Sequence, residues 1–213
     1  MRMDTEASKL LMLFNWMSPT FPIGGFAYSH GLEQAIADGT VQTSETVESW
    51  IGDLLQSGSM WNDAVLFARC WHEDVNDLAL ALAGSAERYQ ETTQLGRNFN
   101  TAANVWLGTA LSDSDVAYPV AAGRACAQAN VAKTQALLAF LQGFTAAQVS
   151  VAVRLVPLGQ TKGLQVLRNL SPIIEKVAGR AATARLDDLG SNCVLADIAA
   201  MKHETLESRV FRT

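Results

Sequence analysis

The sequence predicts an all-α protein, a single-domain bundle of roughly ten helices. Three observations carry that prediction. Ala and Leu together number 57 against 22 Val and Ile, and Ala and Leu lose least freedom in a helix, whereas β-branched side chains lose χ1 freedom there. Apolar residues recur at helical spacing along most of the chain. The one strand-like alternation, Val151, Val153 and Leu155 within Ser150 to Val156, has no second alternating run to pair with. A chain of 213 residues suits one domain with a substantial core. At 49% hydrophobic and 17% charged residues it has the apolar surface that disordered chains lack.

Leu10, Leu11, Phe14 and Met17 predict a first amphipathic helix that ends before Pro19, with these four facing inward. Thr43 or Ser44 caps a second, whose first turn holds Glu45 and Glu48 near the positive dipole end while Val47, Ile51, Leu54 and Leu55 face the core. Val65, Leu66 and Cys70 mark a further helix. Leu78 and Leu82 mark the inner face of a segment from Asp74 to Ala83. Ser85 caps a long segment through Leu107, which the Gly108 to Pro119 stretch breaks. From Pro119 to Arg154 the pattern is apolar nearly all round, as suits the middle of a bundle. Gly159 to Gly163 reads as a turn between helices. Ser171-Pro172 reads as an N-cap and first helical residue that begins or kinks another helix through Val177. A last helix is expected from about Val194 to Leu206. Residues 1–213 thus form one domain with no repeat or flexible linker, ending in a tail over about 207–213.

Charge is uneven: residues 1–120 hold 5 basic and 15 acidic side chains, whereas residues 121–180 hold 7 and 1. Such polarity suits two faces that steer different partners. Cys70, Cys126 and Cys193 are sparse and odd in number, which argues for a reducing compartment rather than a disulfide framework. Met1 to Lys9 has no secretory pattern. Thr134 to Val153 is a 20-residue run without charge, yet Gln135, Gln142, Thr145, Gln148 and Ser150 are costly in hydrocarbon, so the run reads as a buried helix of a cytoplasmic protein.

The chemistry of catalysis is missing. His30, His72 and His203 are scattered, Cys70 and His72 point to different sides of a helix, and His203-Glu204 lacks the second histidine of a zinc motif. Neither the Gly24-Gly25 region nor Gly159 to Gly163 makes a phosphate loop. No Ser, His and Asp stand in a recognisable order, and the acidic pI near 5.2 argues against nucleic acid. The expectation is a protein with no catalytic residue, metal site or cofactor.

Two stretches stand apart. In Ser18 to Glu33, two prolines and a Gly pair hold Phe21, Ile23, Phe26 and Tyr28 in a fixed non-helical path, which either plugs the core or forms a partner surface. The C-terminus, Ala196 to Thr213, ends in a basic and aromatic tail. Such an end either frays or orders on a partner, with Phe211 as apolar anchor and the arginines as charge-assisted donors.

At these residues the sequence resembles the UreF family of urease accessory proteins. The motifs run in order: Ser18-Pro19, Phe21-Pro22-Ile23-Gly24, Tyr28-Ser29-His30-Gly31-Leu32-Glu33, Glu91-Thr92 with Gln94, Gly96-Arg97, and Tyr118-Pro119-Val120. Leu158-Gly159-Gln160-Thr161, Asp188-Leu189-Gly190-Ser191, Met201-Lys202-His203-Glu204-Thr205 and Ser208-Arg209-Val210-Phe211-Arg212 complete them. The resemblance implies an all-α adaptor that is not an enzyme, a homodimer joining the UreD/UreH accessory protein to the GTPase UreG on apo-urease. GTP hydrolysis is then coupled to nickel insertion. It implies partner contacts at Phe26, Tyr28, His30, Gln160, Thr161, His203, Glu204, Arg209, Phe211 and Arg212. The tail and the Phe26 loop would order together on UreD/UreH. Two alternatives stay open: a GTPase-activating protein using Arg97, Arg124 or Arg154, and a direct nickel chaperone using His30, Cys193 or His203.

Overall fold

The architecture comes from a computed structural model that describes residues 5–108, 111 and 115–212. Parts of the N-terminal segment and of the Gly108 to Pro119 break, and the terminal Thr213, therefore lie outside the described residues. Among those residues there are ten α-helices and no strand: α1 Glu6–Trp16, α2 Leu32–Ala37, α3 Ser44–Ser57, α4 Ser59–Arg69, α5 Asn76–Ala81, α6 Ala86–Leu107, α7 Tyr118–Gln128, α8 Lys133–Leu155, α9 Gly159–Ala181 and α10 Val194–His203.

Local chemistry fixes several boundaries. The Thr43 hydroxyl accepts the Thr46 N–H and the Thr46 hydroxyl accepts the Thr43 N–H, so α3 opens on a reciprocal cap. Ser85 accepts the Arg88 N–H at the start of α6, where Glu87 sits near the positive dipole end. Val47, Ile51, Leu54 and Leu55 face the core as their spacing predicts, and Cys70 is buried at the end of α4.

Helix α8 is the axis, touching α1, α2, α3, α4, α7 and α9. It is long and apolar enough to cross a membrane, yet half of its most apolar window is buried inside the fold. The strand-like Ser150 to Val156 alternation belongs to this helix and its end. Around it runs a column of aromatic rings: Trp16 on Phe99 (5.8 Å between centroids), Phe99 on Tyr118 (5.8 Å), Tyr118 on Phe140 (5.5 Å) and Phe140 on Phe67 (4.8 Å). Edge and offset contacts of this kind add to the area buried.

The structure corrects five expectations. In α1 the inward residues are Met12, Leu13 and Trp16, while Leu10, Leu11 and Phe14 are exposed. The run from Leu10 to Phe14 is apolar on every side, so its period gives no phase, and the large Trp16 chooses the face. At α5, Ala79 is buried while Leu78 and the C-cap residue Leu82 stand out in solvent, the inward positions being filled by Val75, Ala79 and, in part, Leu80. The apolar stretch from Pro119 to Arg154 is two helices, α7 and α8, parted at Ala129–Ala132. Pro172 neither begins a helix nor follows a cap: it lies inside α9, with Ser171 Oγ donating back to the Leu167 carbonyl. Both residues are exposed, so the pyrrolidine ring is accommodated on the solvent side. Gly159 to Gly163, read as a turn, is the first turn of α9.

Candidate interaction site

The segment from Ser18 to Glu33 runs along α6, held by polar groups at intervals of three or four residues. Asn98 Nδ2 donates to the Ile23 carbonyl at 3.0 Å, and the Tyr28 hydroxyl donates to Gln94 Oε1 at 2.9 Å. His30 Nε2 lies 2.8 Å from Glu91 Oε1. Glu33 Oε2 lies 3.0 Å from His203 Nε2, whose Nδ1 is 2.8 Å from Glu87 Oε2. Positions 87, 91, 94 and 98 form one stripe of a helix, so an ascending loop is read by a descending stripe. That pairing builds the site.

Its inner part is a buried charge cluster. Arg88 lies 2.7 Å from Glu91 and 3.5 Å from Asp63, and the His30 ring meets Phe144 edge-on at 4.9 Å. Burial alone would raise Glu91, but Arg88 and His30 outweigh it and bring its carboxyl down to about 2. Burial dominates at Asp63, which is raised despite Arg88. Burial also raises the Tyr28 hydroxyl, with a further push from Glu91 that Arg212 partly offsets. A cavity of about 330 Å³ adjoins the cluster, with Trp16, Phe26, Phe144 and Phe211 among its walls.

The outer part is the C-terminal strap, residues 207–212. The sequence expects this end to fray or to order on a partner; in the structure it lies against its own chain. Val210 N–H donates to Glu33 Oε1 at 2.7 Å, Phe211 N–H to Glu33 Oε2 at 2.9 Å, and Arg212 N–H to the Ala27 carbonyl at 2.8 Å. Arg209 pairs with Glu87. Phe211 is only 4% exposed, with the Arg154 guanidinium 5.9 Å over its ring, so it anchors the strap internally.

The expected contact residues therefore part into three groups. Phe26, on the 3-10 turn Gly25–Ala27, is 66% exposed, and beside it Val210 is 71% exposed. Arg209 and Arg212 are exposed residues of the same strap, with the Arg209 guanidinium on Glu87 and the Arg212 side chain reaching Tyr28. Tyr28, His203 and Phe211 lie beneath these exposed side chains; His203 is 0% exposed and cannot touch a partner from that position. His30 sits with them, only partly exposed, and Glu204 caps the start of α6 by accepting the Ala86 N–H at 2.9 Å. Gln160 and Thr161 are exposed in α9 and line no part of the cavity. The sequence reading missed Glu33, Glu87, Arg88, Glu91 and Asp63 as site residues. Their one signal was that Glu33 and Glu91 fall within the family motifs.

Among the described residues no three His, Cys, Asp or Glu side chains are grouped to hold a metal ion. Both ring nitrogens of His203 are already engaged by carboxylates, and Cys193 lies in a separate groove with its thiol on the Asp53 carbonyl. Of the candidate arginines, Arg97 is held by Asp115 at 2.9 Å and Arg124 by Asp74 at 2.8 Å.

A sequence model of the UreF family matches residues 41–171. The chain is 47% identical to a protein named urease accessory protein UreF from Rhizobium leguminosarum bv. viciae, aligned over 100% of both chains. It is 46% identical to one of the same name from Cereibacter sphaeroides, over 96% of this chain and 98% of that one. Against one from Agrobacterium fabrum it is 43% identical over 100% of each. With the full-length identity and the family's motifs lying on the loop, the α6 stripe and the strap, the chain belongs to the UreF family of urease accessory proteins.

Proposed function

We propose that this chain is a non-catalytic adaptor in urease maturation. It joins the UreD/UreH accessory protein to the GTPase UreG on apo-urease, and the assembly couples GTP hydrolysis to nickel insertion. In this reading it works in the cytoplasm as a homodimer.

The observation that carries the reading is the surface made jointly by the Phe26 turn and the strap. Two large apolar side chains stand in solvent there on a backbone fixed by buried polar groups. An exposed aromatic side chain is a common anchor of an interface hot spot, and a fixed backbone spares the complex the ordering entropy. UreD/UreH is the partner assigned to this face. Phe26→Ala, which removes an exposed ring, is expected to weaken co-elution with UreD/UreH by at least about tenfold while leaving the melting temperature within about 2 °C. Co-elution unchanged by Phe26→Ala, and by deletion of Arg209 to Thr213, would overturn the assignment.

The GTPase-activating reading is tested first at Arg154, the candidate arginine with no carboxylate bridge among the described residues. Arg97 and Arg124 are held by aspartates, whereas Arg154 is exposed at the edge of the cavity. UreG turnover that rises with the wild-type chain and not with Arg154→Ala would favour it.

A further inference from the structure

We propose that Glu33, acting with His203 and Glu87, is the positioning device that holds the C-terminal strap in place and so creates the exposed surface on which the adaptor reading rests.

Glu33 is in the first turn of α2 and almost fully buried. A buried carboxylate is tolerated only where its lone pairs are satisfied. Two of the three groups that satisfy it come from the strap: the Val210 and Phe211 amides, one on each oxygen. The third is His203, from α10. The opposite ring nitrogen faces Glu87 of α6, whose second oxygen takes the strap's Arg209. Each ring nitrogen of His203 thus faces a carboxylate oxygen. The cluster therefore joins three helices, and the strap supplies three of its donors.

Without the strap, Glu33 would stay buried with most of its acceptor capacity vacant. Without Glu33, the strap would lose two of its backbone bonds and keep the Arg209 pair, the Arg212 contacts with Ala27 and Tyr28, and the Phe211 ring to offset the entropy of ordering a chain end. Docking of the strap and formation of the cluster are thus one cooperative event. None of the three residues faces solvent enough to touch a partner, so each acts through the strap.

Hydrogen exchange on the isolated full-length chain tests the device without any partner. Glu33→Ala is expected to lower protection of the Val210 and Phe211 amides by about tenfold or more. Glu33→Gln should restore part of that protection, because its amide oxygen still accepts from the strap. Urea denaturation separates positioning from ordinary core packing. Glu33→Ala should lower the midpoint more in the full chain than in a chain ending at Glu207, where only the His203 contact is left to lose. Unchanged amide protection in both Glu33 variants, or an equal loss of midpoint with and without the strap, would overturn the proposal. Protection lost while co-elution with UreD/UreH persists would leave the positioning role standing and overturn the partner assignment instead.

Discussion

Gly31 and Gly24 offer a controlled comparison, because both adopt left-handed backbone, with φ of +76° and +83°, and they differ in what surrounds them. A Cβ on Gly24 would meet nothing within 4 Å. A Cβ on Gly31 would lie 2.8 Å from the Ala200 nitrogen, 3.1 Å from the Ala196 oxygen and 3.3 Å from the Ala199 carbonyl carbon. All three are backbone atoms of α10, so no side chain can swing aside. The left-handed conformation costs an alanine roughly 1–2 kcal/mol at either site, and overpacking adds roughly 1–3 kcal/mol at Gly31 alone. The entropy lost from the unfolded chain is the same for both changes and cancels in their difference. Gly31→Ala is therefore expected to destabilise by about 1–3 kcal/mol more than Gly24→Ala in urea denaturation followed by circular dichroism. Relief comes most easily by moving α10, which meets α2 through small residues and carries His203 at its end. Amide exchange at Val210 and Phe211 should accordingly quicken in Gly31→Ala and stay slow in Gly24→Ala. Equal destabilisation of the two variants would refute the close approach of α10 to Gly31.

Thiol chemistry should single out Cys193. Burial pushes the Cys70 thiol up to about 12 and raises the buried Cys126 as well. A maleimide at about pH 8 is thus expected to add once, slowly, to the half-buried Cys193, whose own thiol burial also raises; two adducts on native protein by mass spectrometry would contradict the buried placement. Glu91 predicts an acid-sensitive core. Its carboxyl is brought from the ordinary 4.5 down to about 2 in the folded state, so its contribution is complete above about pH 4.5 and is lost as pH falls toward about 2. Glu91→Gln should be less stable at neutral pH, since Arg88 and His30 lose their carboxylate, and should show a flatter stability profile across that window; a slope as steep as wild type would count against the cluster. Ser85→Ala removes the cap on the Arg88 N–H and is expected to lower stability by about 1 kcal/mol, read as a lower urea midpoint at unchanged slope.

Features fixed by neighbours in sequence were legible in it, and features fixed across the fold were not. The caps at Thr43 and Ser85 could be read because each hydroxyl serves an amide three residues on. The inner face of α3 was legible because polar residues mark its outside. The inner face of α1 was not, because no polar residue between Leu10 and Phe14 marks an outside. At the site, Ser18 to Glu33 and the strap stood out by composition alone. The acids that hold them did not: Glu33 and Glu87 each lie in the first turn of a helix, where a carboxylate already has a local reason to be. Their partners lie 116 to 178 residues away, a distance that periodicity and capping rules do not span.

The stripe at 87, 91, 94 and 98 explains why such a loop can be both irregular and fixed. An irregular segment packed against a helix carries backbone and side-chain polar groups that must be paired. An apolar helix face would leave them unsatisfied, and a fully exposed face would let water compete. Here α6 presents a polar stripe that passes from the buried Glu91 to the exposed Gln94, and each rung takes one group of the loop: the Ile23 carbonyl on Asn98, Tyr28 on Gln94, His30 on Glu91 and, through His203, Glu33 on Glu87. The spacing of the motif residues Tyr28, His30 and Glu33 is thereby matched to a helical repeat on another element. Substituting one rung takes a hydrogen-bond partner from the loop group opposite it, at a cost that rises with the burial of that group. The same rungs end at Glu87, which also holds the strap's Arg209, so the loop and the tail are fixed by one helix face and present Phe26 and Val210 as a single surface.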